Sequence, residues 1–138
     1  MAQKLNRAIE LHDSRITAIV RRGDGSVEIR FGRAYVHASS ERPGSNAGIG
    51  GLQFCSMIVG RGRIEGEVGD LPSHVFTGDL RIGDQVLANI IPLPCHVVDQ
   101  EVEVILFLSP DNRRVAVSGI GLEVLMEGET EFTEVFPG

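Results

Sequence analysis

Tryptophan is absent from the 138 residues, tyrosine occurs once and phenylalanine six times. The phenylalanines fall mostly on core-facing positions of the strand pattern described below. Sugar platforms and single-stranded nucleic-acid grooves both rely on exposed rings for stacking, so carbohydrate and nucleic acid are not expected as ligands. Positive charge is also scarce: 13 lysines and arginines face 19 acidic residues, for a net charge of -6. That balance argues against general affinity for nucleic acid or anionic membranes. Lys4 is the only lysine. No apolar run approaches the roughly 18 residues of a transmembrane helix. Residues 1–7 are polar and basic with no apolar stretch behind them, so no signal peptide is expected. A soluble, cytoplasmic domain is the resulting expectation.

Cysteine is limited to Cys55 and Cys95. Each sits in a mostly apolar stretch, where free buried thiols are common, so two reduced thiols are expected. No His-x-His, Cys-x-x-Cys or His-Glu-x-x-His spacing occurs, and the sequence therefore points to no metal and no cofactor. Helical periodicity is nearly missing too. The 17 glycines are scattered through apolar segments, and each would cost a helix interior about 1 kcal/mol.

What the chain does contain is period-2 alternation. Ile16, Ala18 and Val20 alternate with Thr17, Ile19 and Arg21, then Gly23-Asp24-Gly25-Ser26 supplies a turn. Asp-Gly is a strong hairpin signal because glycine adopts positive φ freely. Val27, Ile29 and Phe31 resume the alternation, and Tyr35 to Ala38 continue it past a kink at Gly32. From Leu52 to Val68, the residues Leu52, Phe54, Ile58, Ile64 and Val68 share one parity, and Arg61, Arg63, Glu65 and Glu67 the other. The pattern predicts an apolar inner face and a charged outer face on one curved strand, or on two strands split near Gly60 to Gly62. Residues 39–51 carry Gly, Ser and Pro without periodicity and are expected to form a long mobile loop.

The second half reads as a string of short strands. His74 to Ile82 precede a Gly83-Asp84 turn, and Gln85 to Ile91 end against Pro92-Leu93-Pro94. Glu101 to Leu108 are nearly all apolar, as expected of a central strand covered on both faces. Val115 to Met126 follow the turn at Ser109 to Asn112, with Gly119 and Gly121 placed as bulges. An acidic tail begins at Glu127. Together these features predict a single all-β domain, an antiparallel β-sandwich of about 8–10 short strands, with a closed β-barrel as the alternative. Ile58, Ile64, Val104 and Leu106 are its predicted core.

The candidate binding residues are His12, Asp13, His37, His74, His96, Arg22 and Arg30. His12-Asp13-Ser14 has the residue types of a catalytic triad, but a triad converges from separated positions, whereas adjacent strand residues point to opposite faces. Asp13 and Ser14 are better read as a turn or side-chain-to-backbone cap. Cys95 and His96 are adjacent for the same unhelpful geometry, and nothing nearby would lower the thiol pKa. Arg21, Arg22, Arg30 and Arg33 could gather near the first hairpin and dock an acidic partner; a solvated face with Arg30 paired to Glu28 is the simpler reading. No catalytic constellation emerges.

Leu11-His12-Asp13-Ser14-Arg15-Ile16 followed by an alternating strand resembles the opening of several small bacterial all-β families. Some of these have no assigned role, and others are immunity-type proteins that neutralise a toxin by binding it. The resemblance spans residues 1–30 and implies a bacterial β-sandwich serving as an interaction module. The leading expectation is a non-enzymatic module that binds a protein partner or itself as a homodimer. The rival is a small enzyme or ligand-binding domain with a histidine-lined pocket between the sheets.

Overall fold

The first hairpin forms where the Asp-Gly signal places it. In the computed structural model, which describes residues 5–43, 45 and 47–136, strand β1 (Asn6–Arg21) turns into β2 (Val27–Ser39). Asp24 Oδ1 accepts from Ser26 N at 3.0 Å and from Ser26 Oγ at 2.6 Å. These two bonds hold the Asp24 carboxyl below its ordinary pKa. Gly25 takes φ +90°, a region open to glycine at little steric cost.

Seven further strands follow: β3 (Gly48–Val59), β4 (Arg63–Gly66), β5 (Ser73–Ile82), β6 (Gln85–Ala88), β7 (Ile90–Leu93), β8 (His96–Leu108) and β9 (Arg113–Phe136). All pairings are antiparallel, in the order β6-β5-β8-β9-β3-β2-β1-β7, with β4 also on β9. The protein is all-β, as the alternation predicts. The long strands serve two layers each. Arg113 to Glu123 of β9 pair with β8, and Leu122 to Phe136 pair with β3. Asn6 to Glu10 of β1 pair with β2, and Arg7 to Glu10 also with β7, whereas Arg15 and Ile16 also meet His74 and Ser73 of β5. The layers are thus joined through β9 and joined again where β1 meets β5.

Between the layers lies an aliphatic core that includes Ile9, Leu11, Ile16, Ile29, Phe31, Met57, Leu80, Ile91, Leu106 and Leu108, all without exposed surface. Val104 and Leu106 take their predicted core places. The parity assigned to β3 is corrected: Cys55, Met57 and Val59 face the core, while Phe54 is 62% exposed and Ile58 half-buried. Ile64, on β4, packs against the core's margin. The odd-numbered set was disguised because it contains Gln53 and Cys55, less apolar than Phe54 and Ile58 beside them. Phe76 is also largely exposed, at 43%, so the phenylalanines are not uniformly interior.

Two boundaries also differ from expectation. Ser39 ends β2, Gly48 pairs with β9 and Ile49 to Gly51 pair with both β2 and β9, so the connection predicted over 39–51 shortens to 40–47. Gly44 and Asn46 within it lie outside the described residues. Pro92 lies opposite Ala8 inside the β1–β7 ladder. The sheet tolerates it there because β7 is an edge strand, where a missing N–H on the open side breaks no ladder bond.

Candidate functional site

The His12-Asp13-Ser14 tripeptide shapes a bulge in β1. Pairing with β2 is interrupted between Glu10 and Arg15, and Asp13 takes φ +72°. Ser14, fully buried, donates from Oγ to Glu10 O at 2.6 Å and accepts from Tyr35 N at 2.9 Å. Its hydroxyl therefore bridges two backbone groups that the bulge would leave unpaired. His12 is exposed. Its Nδ1–H donates to Phe76 O at 2.6 Å, and its Nε2 lies 3.4 Å from Asp13 Oδ1.

Around this bulge the sheet brings together residues that are distant in sequence. Cross-strand partners share a face, and Glu10, Tyr35, Leu52 and Glu131 form one row while Ala8, His37, Gly50 and Glu134 form the next. His37, nearly buried, donates from Nε2 to Glu10 Oε2 at 3.0 Å. The Tyr35 ring sits 5.0 Å from the His37 ring. Burial, followed by the neighbouring Glu134 carboxylate, pushes the Tyr35 pKa up. Asn89 joins the group, donating to Glu10 Oε1 at 3.4 Å and accepting from His12 N at 2.7 Å. The His12 backbone and His37 are thus linked through Asn89 and Glu10, whereas the His12 ring contacts Phe76 O and Asp13.

The other candidates lie apart. His74 sits on β5 opposite Arg15, and His96 begins β8 opposite Glu123; both are exposed. Arg22 is exposed at the first turn. Arg30 Nη2 lies 3.4 Å from Glu28 Oε2. Ser56 Oγ donates to the same oxygen at 2.7 Å, which chiefly holds the Glu28 carboxyl below its ordinary pKa. Among the described residues no group of three His, Cys, Asp or Glu could hold a metal ion. Cys55 and Cys95 are free. Burial pushes the Cys55 thiol up to about 12 and also raises Cys95, so neither is an activated nucleophile. The space between the layers is occupied by the aliphatic core.

An open groove of about 560 Å³ lies instead on the outside of the β4–β9–β8–β5 layer. Arg63, Ser118, Glu103 and Arg81 cross it in one register row. Arg61, Arg63 and Arg81 face Glu65, Glu101 and Glu103 along its walls. Arg63 and Glu65 lie 3.6 Å apart, Arg81 and Glu103 3.7 Å. The charges balance, so the groove presents no single-sign field to a ligand.

Strand β9 offers a different feature. Beyond Val124, which donates to Cys95 O at 3.1 Å, its strand ladder runs to β3 alone. Among the described residues no strand covers the other side from Leu125 to Phe136. Glu127, Glu131 and Glu134 lie opposite Phe54, Leu52 and Gly50, alternate residues of β3, and so share one outer face. Two irregularities in register, between Gly50 and Gly51 and between Leu52 and Phe54, keep them there. On the inner face Val124 and Met126 pack against the core together with Leu93 and Cys95. Further along, Arg7 Nη2 donates to Thr130 Oγ1 at 2.5 Å, and Thr130 donates to Gln53 Oε1 at 2.6 Å.

The glutamates of β9 read in the sequence as an unpatterned acidic tail, because the bulges break strict alternation. The Glu10–His37 pair was hidden for a different reason: its register depends on a bulge four residues long. Among the described residues no helix is long and apolar enough to cross a membrane. The sequence matches no family model, and neither curated proteins nor solved structures give a match to it.

Proposed function

We propose that this chain is a non-enzymatic binding module that takes up an extended segment of a partner protein along the open half of β9. The observation that carries the reading is the one-sided pairing of Leu125 to Phe136. Such an edge presents backbone N–H and C=O groups to any strand that can approach, and strand addition supplies affinity through main-chain bonds. Exposed Leu125 and Val135 lie along the same stretch. An enzymatic reading has less support. The Ser14 hydroxyl is engaged with backbone, the thiols are held protonated, and the histidines are spread over β1, β2, β5 and β8. The likeness of Leu11 to Ile16 to immunity-type bacterial proteins fits a module that acts by binding.

The test is to select peptides that bind the whole protein from an unbiased display library and map them by amide hydrogen exchange. The proposal expects protection over Leu125 to Phe136. Peptides that protect only the groove at Arg61, Arg63 and Arg81, or the surface at His12, would contradict it.

A further inference from the structure

We infer, resting on that reading, that the open edge of β9 selects a segment in which basic and apolar residues alternate, in preference to a second copy of this chain. The two faces of the edge differ in chemistry. Glu127, Glu131 and Glu134 stand on the outer face, and Glu129 is exposed in the bulge between the first two. On the opposite face stand Met126, packed against the core, and Val135, exposed and opposite Ile49 of β3.

A strand added antiparallel or parallel at this edge alternates its side chains between the same two faces. Its outward residues come beside the glutamates, where opposite charges stabilise and like charges oppose. Its inward residues come beside the apolar lip, where Val or Leu would lose contact with water. An alternating basic and apolar segment satisfies both faces at once.

A second copy does not. Pairing two β9 edges brings one row of glutamates against the other, and the chain already carries a net charge of -6. Charged edge residues are a known means of blocking such pairing. The same glutamates that discourage self-association favour a basic guest.

The experiment uses the full chain and three synthetic seven-residue peptides: alternating Arg and Val, alternating Glu and Val, and alternating Arg and Ser. Affinity is measured at low and moderate salt, and the site is mapped by amide exchange. The Arg/Val peptide is expected to protect Leu125 to Phe136 and to weaken as salt rises. The Arg/Ser peptide should bind at least tenfold more weakly, and the Glu/Val peptide should not bind. The exposed-face triple variant E127Q/E131Q/E134Q should bind Arg/Val about tenfold more weakly, the combined effect of three exposed charge pairs, and lose most of the salt dependence. Sedimentation of the free protein should show a monomer at tens of micromolar. Equal protection of β9 by Arg/Val and Glu/Val peptides would overturn the charge selectivity and leave the edge reading standing. A dimer that protects the β9 amides would replace the guest segment with a second copy. Failure of all three peptides to protect β9 would overturn the selectivity and the edge reading together.

Discussion

Replacing Ser14 by alanine removes one oxygen from a site with no exposed surface. That oxygen accepts from Tyr35 N at 2.9 Å and donates to Glu10 O at 2.6 Å. The methyl group that remains fills most of the space, so the gap is too small for a replacement water. Tyr35 N–H is then buried without that acceptor, and Glu10 O loses a donor. Each unsatisfied group costs about 1–3 kcal/mol, and the carbonyl, with a second lone pair, belongs at the low end. The expected loss is about 2–4 kcal/mol. With a urea slope of about 1–3 kcal/mol/M, the unfolding midpoint should fall by roughly 1–2 M at unchanged slope. Fluorescence is poorly suited without tryptophan, so far-ultraviolet circular dichroism is the readout. A loss below about 0.5 kcal/mol would refute the bridging role and reopen the hydroxyl to other uses.

Further outcomes follow from four particular residues. Asp13 takes φ +72°, so Asp13→Gly should leave stability within about 0.5 kcal/mol or raise it, whereas Asp13→Val should cost about 1–2 kcal/mol; equal effects in urea melts would contradict the bulge geometry. Leu106 is fully buried, and Leu106→Asp should abolish cooperative folding because an unpaired buried charge costs several kcal/mol. Ile58 is half-buried between Glu28 and Glu123 in register, so Ile58→Asp should remain folded with a loss of about 1–2 kcal/mol from like-charge neighbours; the reverse order in thermal melts would overturn the corrected parity. Finally, the Cys55 thiol has its pKa raised from 9.0 to about 12 by burial. The unfolded chain ionises first, so stability should hold below pH 9 and fall between pH 9 and about 12, by at most about 4 kcal/mol from this group. Cys55→Ala should flatten that slope; an unchanged slope would remove Cys55 as its cause.

Much of the fold was legible because its signals are local. The hairpin at Asp24-Gly25, the apolar run of β8 and the scarcity of helical periodicity each depend on a few neighbouring residues. Long-range register was not legible. Ile49 to Gly51 look like loop by composition but become strand because β2 and β9 flank them on both sides. Phe54 and Ile58 looked interior by hydropathy, yet the register with β9 turns them outward beside Glu127 and Glu123. The candidate site suffered most. Glu10 and His37 are 27 positions apart, and Glu127, Glu131 and Glu134 align only once two bulges are counted. A bulge shifts every later side chain to the other face, and no local pattern announces it.

The most direct measurement is residue-resolved amide exchange along β9, in the free protein and with the alternating Arg/Val peptide. Amides from Arg113 to Leu122 are expected to be protected throughout, since that half is paired with β8, and Val115 to Ser118 also with β4. From Leu125 to Phe136, alternate amides should exchange fast in the free protein and become protected when the peptide is added. Uniform protection of that half before any peptide is present, or peptide-induced protection on another strand with β9 unchanged, would contradict the proposal that this edge is the binding surface.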